Sequence, residues 1–180
     1  MSFLEFATRM LPYWCLGVFT FYCVWKSEYK NLLSFKPKVF GKWVLFMACM
    51  SVVRYFMIKT AFSQGIGLEQ AQTAYMLPIG GTAFVGWEDL CYSFPLVLLK
   101  RMLGTSKWMW PVHMLLLAFV MLSFFTGHTY QGVFAAAMIS FYIPYAVRFI
   151  EKNGVTTLML GHMLYDFATI MTVRAAVGHL

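Results

Sequence analysis

The sequence predicts an all-α protein, a polytopic transmembrane helical bundle with about six spans. Apolar residues make up 61% of the 180 residues and charged residues only 12%, whereas ordinary soluble domains contain roughly 45–50% and about 25%. A soluble protein of this size still exposes a large fraction of its surface, so it could not hide so much apolar side chain. The composition therefore disfavours a soluble enzyme, a nucleic-acid-binding protein and a disordered chain.

Six mostly apolar runs of roughly the length that crosses a bilayer, about 20 residues, follow one another along the chain. They cover residues 10–25, 40–62, 73–99, 108–127, 132–150 and 154–177. The first run is short unless part of 3–9 joins it. Because no small-residue cleavage site follows this run, we expect a retained helix rather than a secretory signal. With no internal repeat and no soluble insertion, we interpret residues 1–180 as a single membrane domain.

The third run is where we expect an irregular backbone. It is long, and it contains one proline and three glycines, namely Pro78, Gly80, Gly81 and Gly86. Residues of these types are common at sharp kinks in helices. We therefore expect the third span to be kinked or broken.

The positions of the basic residues predict an orientation. Ten of the 14 Lys and Arg residues lie in the predicted connections 26–42, 100–107 and 148–153, which include the ends of neighbouring runs, and the intervening connections 63–72 and 128–131 contain none. Six alternating spans put the three basic connections on one face, which the positive-inside rule makes cytoplasmic. Despite the net charge of +7, we expect the partner to be the lipid bilayer, in the cell (inner) membrane, and not nucleic acid.

Acidic residues inside the apolar runs are the first sign of function. The chain has only seven acidic residues, and Glu88, Asp89 and Asp166 fall within predicted spans. A carboxylate at membrane depth costs several kcal/mol, so it is normally paired, hydrated or functional. Because adjacent carboxylates oppose each other's ionisation, the Glu88–Asp89 pair suits proton transfer near neutral pH. The alternative is an acidic pair at the start of a helix near the membrane interface.

Two further pairs have the four-residue spacing that puts both members on one helix face, Phe124 with His128 and His162 with Asp166. His162 and Asp166 could hold water, orient a proton or ligate a metal, or they could form a polar pair that only packs helices together. His128 could equally be an interfacial residue at a helix end. The six Trp and ten Tyr residues fit interfacial belts.

An acidic pair, then F-x-x-x-H, then H-x-x-x-D, in that order on successive spans, resembles the CPBP (CAAX protease and bacteriocin-processing) family of glutamic-type intramembrane proteases. The resemblance covers about residues 73–177. It implies an endopeptidase in which Glu88 and His128 activate the attacking water, and in which His162 and Asp166 complete the catalytic site. Asp89 would support Glu88, and Phe124 belongs to the second motif.

The implied mechanism uses no cofactor, although a zinc ion on Glu88, His128 and His162 is an alternative that the absence of an H-E-x-x-H motif makes weaker. The implied partner is a membrane protein or peptide: a prenylated protein, a peptide precursor or a C-terminal sorting tail. The predicted orientation favours the sorting tail. The oligomeric state is left open.

The chain departs from the family's usual first motif, E-E-x-x-x-R, at two positions. Asp89 stands at the second acidic position and Ser93 at the arginine position. Lys100, Arg101, Arg54 or Arg174 could supply the missing positive charge. The departure leaves open a catalytically silent relative that acts as a membrane immunity or assembly partner. A third hypothesis is a small transporter or channel with the buried acids as a proton or cation relay.

Overall fold

The computed structural model describes residues 3–64, 82–129 and 133–177. In these ranges all regular secondary structure is helical, and no strand is present. The all-α prediction is therefore confirmed for the described part of the chain.

Nine α-helices and two 3-10 helices lie in the described residues. The α-helices are α1 (Phe3–Trp25), α2 (Pro37–Ser63), α3 (Thr82–Val85), α4 (Glu88–Cys91), α5 (Ser93–Leu103), α6 (Trp110–His128), α7 (Val133–Ser140), α8 (Tyr142–Asn153) and α9 (Val155–Val177). The 3-10 helices are Glu28–Leu33, before α2, and Lys107–Met109, before α6.

Each of the six predicted spans overlaps at least one helix, and two of them are interrupted. The third breaks at Gly86–Trp87 and again at Tyr92, and the fifth breaks at Phe141. The break at Gly86 agrees with the expectation for this glycine. The start of the third span, residues 73–81 with Pro78, Gly80 and Gly81, lies outside the described residues.

Prolines account for the two breaks that the sequence analysis did not anticipate. Pro95 is the third residue of α5, and Pro144 is the third residue of α8. Proline has no N–H, so it cannot donate to the carbonyl four residues earlier, and its ring crowds that carbonyl. The carbonyls concerned belong to Cys91 and Ser140, which are the last residues of the preceding helices. The chain therefore bends at Tyr92 and at Phe141.

Two helical regions in the described residues are long and apolar enough to cross a membrane, Glu28–Ala61 and Lys107–His128. The first consists of a 3-10 helix and most of α2, and the second contains α6. Of the other predicted spans, the first contains the shorter apolar helix Trp14–Trp25, and the third and fifth are interrupted by the breaks above. The sixth carries the polar side chains of His162 and Asp166 on α9. The described helices alone therefore support two spans by length and composition.

The core lies where α4 and α5 pack against α8 and α9. Leu90, Phe94 and Val97 on one side meet Ile150 and Leu158 on the other, and each of these side chains is almost wholly buried. Along its length α9 also contacts α2 and α3. This packing holds the acidic pair at the start of α4 beside the helix that carries His162.

The start of α9 is fastened to the segment before α2 by hydrogen bonds to backbone groups. The Thr156 hydroxyl donates to the carbonyl of Leu33, with 2.7 Å between the oxygens. The Thr157 hydroxyl oxygen accepts from the backbone N–H of Lys36 at 2.8 Å. Gly154, with φ +81°, has so little room that a Cβ there would lie 2.2 Å from the carbonyl oxygen of Ser34.

Two lysines connect this contact to the other basic segments. The Lys36 ammonium donates to the carbonyl of Lys152, and the Lys100 ammonium forms an ion pair with Glu151 at 2.7 Å. The three segments rich in Lys and Arg, 26–42, 100–107 and 148–153, thus meet at one end of the helical assembly. We call this the basic end.

Candidate functional site

The acidic pair is positioned by a close contact between two backbones. At Gly86 an added Cβ would lie 2.5 Å from the carbonyl oxygen of Met159, on α9. A glycine is needed here because any larger residue would push the turn before α4 away from α9. Glu88 begins α4 two residues later, and His162 follows Met159 by three residues. The two motifs therefore face each other across this contact.

Asp89 lies at the centre of the site and is only 2% exposed. Its Oδ1 accepts a hydrogen bond from the Tyr142 hydroxyl at 2.9 Å, and its Oδ2 lies 3.1 Å from Nδ1 of His162. The Tyr142 hydroxyl is also 3.4 Å from that nitrogen. A buried carboxylate requires such partners, and here both of its oxygens have one.

The other nitrogen of His162 faces the second carboxylate of the motif. Nε2 of His162 lies 3.8 Å from Oδ2 of Asp166, one helical turn further along α9. This distance is too long for a hydrogen bond but short enough for an ion pair. Glu88 is half-buried, and its carboxylate lies within electrostatic range of His162, Asp166 and Asp89. Four of the predicted site residues therefore form one cluster.

His128 reaches this cluster through the aromatic ring of Phe124. Its Nδ1 donates to the carbonyl of Phe124 at 2.8 Å, and the two rings pack with centroids 4.1 Å apart. Because a carbonyl oxygen only accepts, this bond puts the proton on Nδ1 and makes Nε2 an acceptor. Phe124 is buried and contacts the rings of Tyr92 and Tyr142. Phe124 of the F-x-x-x-H motif thus packs against Tyr142, whose hydroxyl donates to Asp89.

The hydrogen bonds of Asp89 add one residue to the site. Asp89 was expected to support Glu88 electrostatically or through hydrogen bonds; it forms hydrogen bonds with Tyr142 and His162 and lies within electrostatic range of Glu88. Tyr142 was not among the predicted site residues. It is one of ten tyrosines, and in sequence nothing separates it from those expected at the membrane interface.

The position of the expected arginine is filled by a small buried side chain. Ser93 is fully buried, and among the described residues its hydroxyl has no hydrogen-bond partner. Of the candidate replacements, Lys100 pairs with Glu151 at the basic end. Arg54, on α2, donates to the Thr169 hydroxyl on α9, lies 5.0 Å from the Tyr165 ring centre and acts electrostatically on Asp166. Arg54 is therefore a cation that reaches the edge of the site.

The described residues do not assemble the zinc site that was considered from the sequence. Within the ranges given above, no group of three His, Cys, Asp or Glu side chains is arranged to hold a metal ion. Nδ1 of His162 is engaged by Asp89, and Nδ1 of His128 by the carbonyl of Phe124. Glu88, His128 and His162 thus do not form a three-ligand shell in this arrangement.

Comparisons with known proteins return no relative: no protein-family model, no curated protein and no solved structure matches this chain. The resemblance to intramembrane proteases therefore depends on the order of the three motifs in the sequence alone.

Proposed function

We propose that the chain is an integral membrane protein that crosses the bilayer about six times. The support comes from apolar side chains on the outside of the helices. In the most apolar 18-residue stretch of each of the two long regions only 6% is buried, whereas a core helix of a soluble protein would be mostly buried. Exposed examples are Leu16 and Phe19 on α1, Leu45, Phe56 and Met57 on α2, and Leu115, Phe119 and Leu122 on α6.

The basic end supports one orientation of this bundle. Three segments rich in Lys and Arg meet there through the contacts of Lys36 and Lys100. Short loops with many basic residues remain on the cytoplasmic side. The basic end therefore lies on the cytoplasmic side of the cell (inner) membrane. At 1.5 Å per residue, His162 and Asp166 lie about 10 and about 16 Å along α9 from Val155, near the middle of a hydrocarbon core about 30 Å thick.

Within this membrane protein, the best-supported activity is hydrolysis of a peptide bond. The observation that carries the proposal is the convergence of ionisable side chains from separate helices: Asp89 on His162, His162 next to Asp166, and Glu88 beside them. Isolated charges at this depth are costly, and a cluster of polar side chains in which Glu88 is half-buried is suited to hold a water molecule. Peptide hydrolysis needs such a water, a base, and donors for the developing oxyanion.

The proposed mechanism assigns one step to each group. Glu88 takes a proton from the water while the water oxygen forms a bond to the carbonyl carbon of the substrate. Nε2 of His128 accepts a hydrogen bond from the same water. The oxyanion that forms is stabilised by the protonated Nε2 of His162. The C–N bond then breaks, and the leaving amine takes the proton from Glu88. Asp166 stabilises the positive charge on His162.

The depth of the site narrows the substrate class. A bond cleaved near the middle of the bilayer must belong to a chain that itself enters the hydrocarbon region. A C-terminal sorting tail with one membrane helix meets this condition better than a prenylated cytosolic C-terminus, and a membrane-inserted peptide precursor meets it as well. The substrate is thus a membrane protein or peptide rather than a soluble protein.

The test uses the full chain in detergent or proteoliposomes with the three substrate types, and mass spectrometry to find new termini. Glu88→Gln removes the base without changing its size, so we expect cleavage to fall about 10²- to 10⁴-fold. Glu151→Gln is the matched control, since Glu151 pairs with Lys100 at the basic end, and it retains cleavage. Equal cleavage by wild type and Glu88→Gln would exclude Glu88 as the base.

Buried Ser93 favours a second function. A catalytically silent relative could keep the fold while the arginine position is filled by a small residue whose hydroxyl lacks a partner in the described chain. Such a protein would act as a membrane immunity or assembly partner. It predicts full biological activity for Glu88→Ala and His162→Ala, whereas the protease requires both side chains.

A further inference from the structure

We propose that Tyr142 is a positioning residue which, together with Asp89, holds the Nδ1 proton of His162 and so makes Nε2 the reactive nitrogen. The catalytic meaning of this arrangement rests on the proposed protease function. The location of the proton does not, because it can be measured without any substrate. Asp89 accordingly acts on His162 and not as a hydrogen-bonding partner of Glu88.

The hydrogen bonds around Asp89 lead to this assignment. The Tyr142 hydroxyl has a single proton and donates it to Oδ1 of Asp89. Oδ2 of the same carboxylate, which only accepts when ionised, lies 3.1 Å from Nδ1 of His162. Nδ1 must therefore carry a proton for this contact to be a hydrogen bond. A carboxylate bound to one histidine nitrogen fixes both the tautomer and the ring orientation.

Nε2 is consequently the nitrogen whose proton can be given up or taken. It lies 3.8 Å from Oδ2 of Asp166, too far for a hydrogen bond, so Nε2 can still form a hydrogen bond with a substrate oxygen or a water. The titratable and charged groups that act on His162 are Asp89 and Glu88 from α4, Tyr142 from α8, His128 from α6 and Asp166 from α9. In the charged ring, Nε2–H can donate to the oxyanion, while Nδ1–H remains on Asp89.

Tyr142 is needed because Asp89 alone would not hold this orientation. Asp89 is almost fully buried, and without the phenol its Oδ1 would lose its donor while Oδ2 still faced the histidine. The carboxyl group could then rotate. The ring of Tyr142 also packs on His162, with centroids 5.0 Å apart. Tyr142→Phe keeps that packing and removes only the hydroxyl.

The experiment is ¹⁵N NMR of the full chain, labelled at histidine, in detergent micelles at a pH where the His162 ring is neutral. Protonated and unprotonated ring nitrogens have well-separated resonances. His162 is assigned among the four histidines by its loss in His162→Gln. We expect the wild-type proton on Nδ1 and, in Tyr142→Phe, a mixture of the two tautomers.

Asp89→Asn gives the sharper test. The Tyr142 hydroxyl should hold the oxygen of the new amide, so that its NH₂ faces Nδ1 and forces the proton onto Nε2. In the double variant Asp89→Asn/Tyr142→Phe the amide is free to turn, and part of the proton returns to Nδ1. Removal of the Tyr142 hydroxyl thus returns part of the proton to Nδ1, a change that general damage to the fold would not produce.

Tyr145 and His113 provide the controls. Tyr145→Phe, one turn along α8 with an exposed side chain, leaves the His162 resonances unchanged, and the His113 signal reports that each variant is folded. A wild-type ring with its proton on Nε2, or a double variant identical to Asp89→Asn, overturns the proposal. With a cleavable substrate, Tyr142→Phe lowers kcat about 10- to 100-fold and changes KM little.

Discussion

Two polar networks meet the same helix, α9, and they satisfy buried groups in different ways. At the basic end, Thr156 and Thr157 bind backbone groups of Leu33 and Lys36. Seven residues from the start of α9, the bonds run between ionisable side chains, with Asp89 joined to Tyr142 and His162. Hydrogen bonds between hydroxyl and backbone groups fix the position of a helix, and neither partner changes its charge near neutral pH. Bonds between titratable groups leave Nε2 of His162 available for chemistry.

The largest effect we expect is from Gly154→Ala at the basic end. The backbone there has φ +81° and ψ 152°, a region that is essentially limited to glycine and costs other residues about 1–3 kcal/mol. The new Cβ would also lie 2.2 Å from the carbonyl oxygen of Ser34, so the two chains must separate. We expect the variant to fail to fold or to melt far below the wild type, as measured by circular dichroism in detergent.

Gly104→Ala separates the two causes of that loss. Gly104 has nearly the same φ, +77°, but nothing lies within 4 Å of an added Cβ. It therefore carries the backbone strain alone, about 1–3 kcal/mol. If Gly154→Ala and Gly104→Ala lost equal stability, the overlap with Ser34 would contribute nothing to the loss. The contact between Gly154 and Ser34 at the basic end would then not be rigid.

Gly86→Ala is expected to act mainly on the cluster of Glu88, Asp89, His162 and Asp166. Its Cβ would lie 2.5 Å from the carbonyl oxygen of Met159, and relief of that overlap moves α4 away from α9. Because the 3.1 Å contact between Asp89 and His162 spans those two helices, we expect cleavage to fall by at least tenfold while the loss of stability is about 1–3 kcal/mol, as for other overpacked sites. Activity and melting temperature are measured on the same preparation.

Gly41→Ala serves as its control. Gly41 lies in the exposed part of α2 with nothing within 4 Å of an added Cβ, so alanine should raise the stability by about 0.5–1 kcal/mol through helix propensity. Activity is unchanged. A Gly86→Ala protein as active as Gly41→Ala would show that catalysis tolerates movement between α4 and α9.

The apolar runs predicted the positions of the described helices well because each run is long enough for several helical turns. Of the breaks in the described chain, the one at Gly86 was expected, while those at Tyr92 and Phe141 follow from Pro95 and Pro144, whose effect falls on residues before them. That signal was present in the sequence. The pairing of α4 with α9 was not, since it depends on side-chain packing between residues far apart in the chain.

The site was predicted as far as residue type and helical spacing allow. The four-residue spacing placed His162 and Asp166 on one face of α9, and the polar residues of three motifs were expected to converge. Tyr142 could not be identified in this way, because a tyrosine in an apolar run has the same appearance at an interface and in a polar site. What sets Tyr142 apart is its hydrogen bond to Asp89, and this contact between residues far apart in the chain is visible only in the folded structure.

Thr157→Val tests the basic end with a smaller change. Valine has nearly the same shape, but the N–H of Lys36 loses its acceptor at 2.8 Å and the Asn153 carbonyl loses a donor. We expect a loss of about 1–2 kcal/mol in unfolding free energy with cleavage unchanged. Thr8→Val, where the exposed hydroxyl donates to the carbonyl of Leu4 in its own helix, should change stability by no more than about 0.5 kcal/mol. A loss of activity in Thr157→Val at normal stability would mean that the two networks are coupled.

The ion pair of Lys100 with Glu151 should have the smallest effect. The side chains are 37% and 25% exposed, so water and salt screen their attraction. A double-mutant cycle with Lys100→Gln and Glu151→Gln is expected to give a coupling of about 0.2–1 kcal/mol that decreases as salt is added. The same screening does not reach the buried contact of Asp89 with His162. Salt should therefore weaken the coupling between Lys100 and Glu151 and leave the His162 tautomer unchanged. A tautomer that shifted with salt would show that the cluster around His162 is as open to solvent as the basic end.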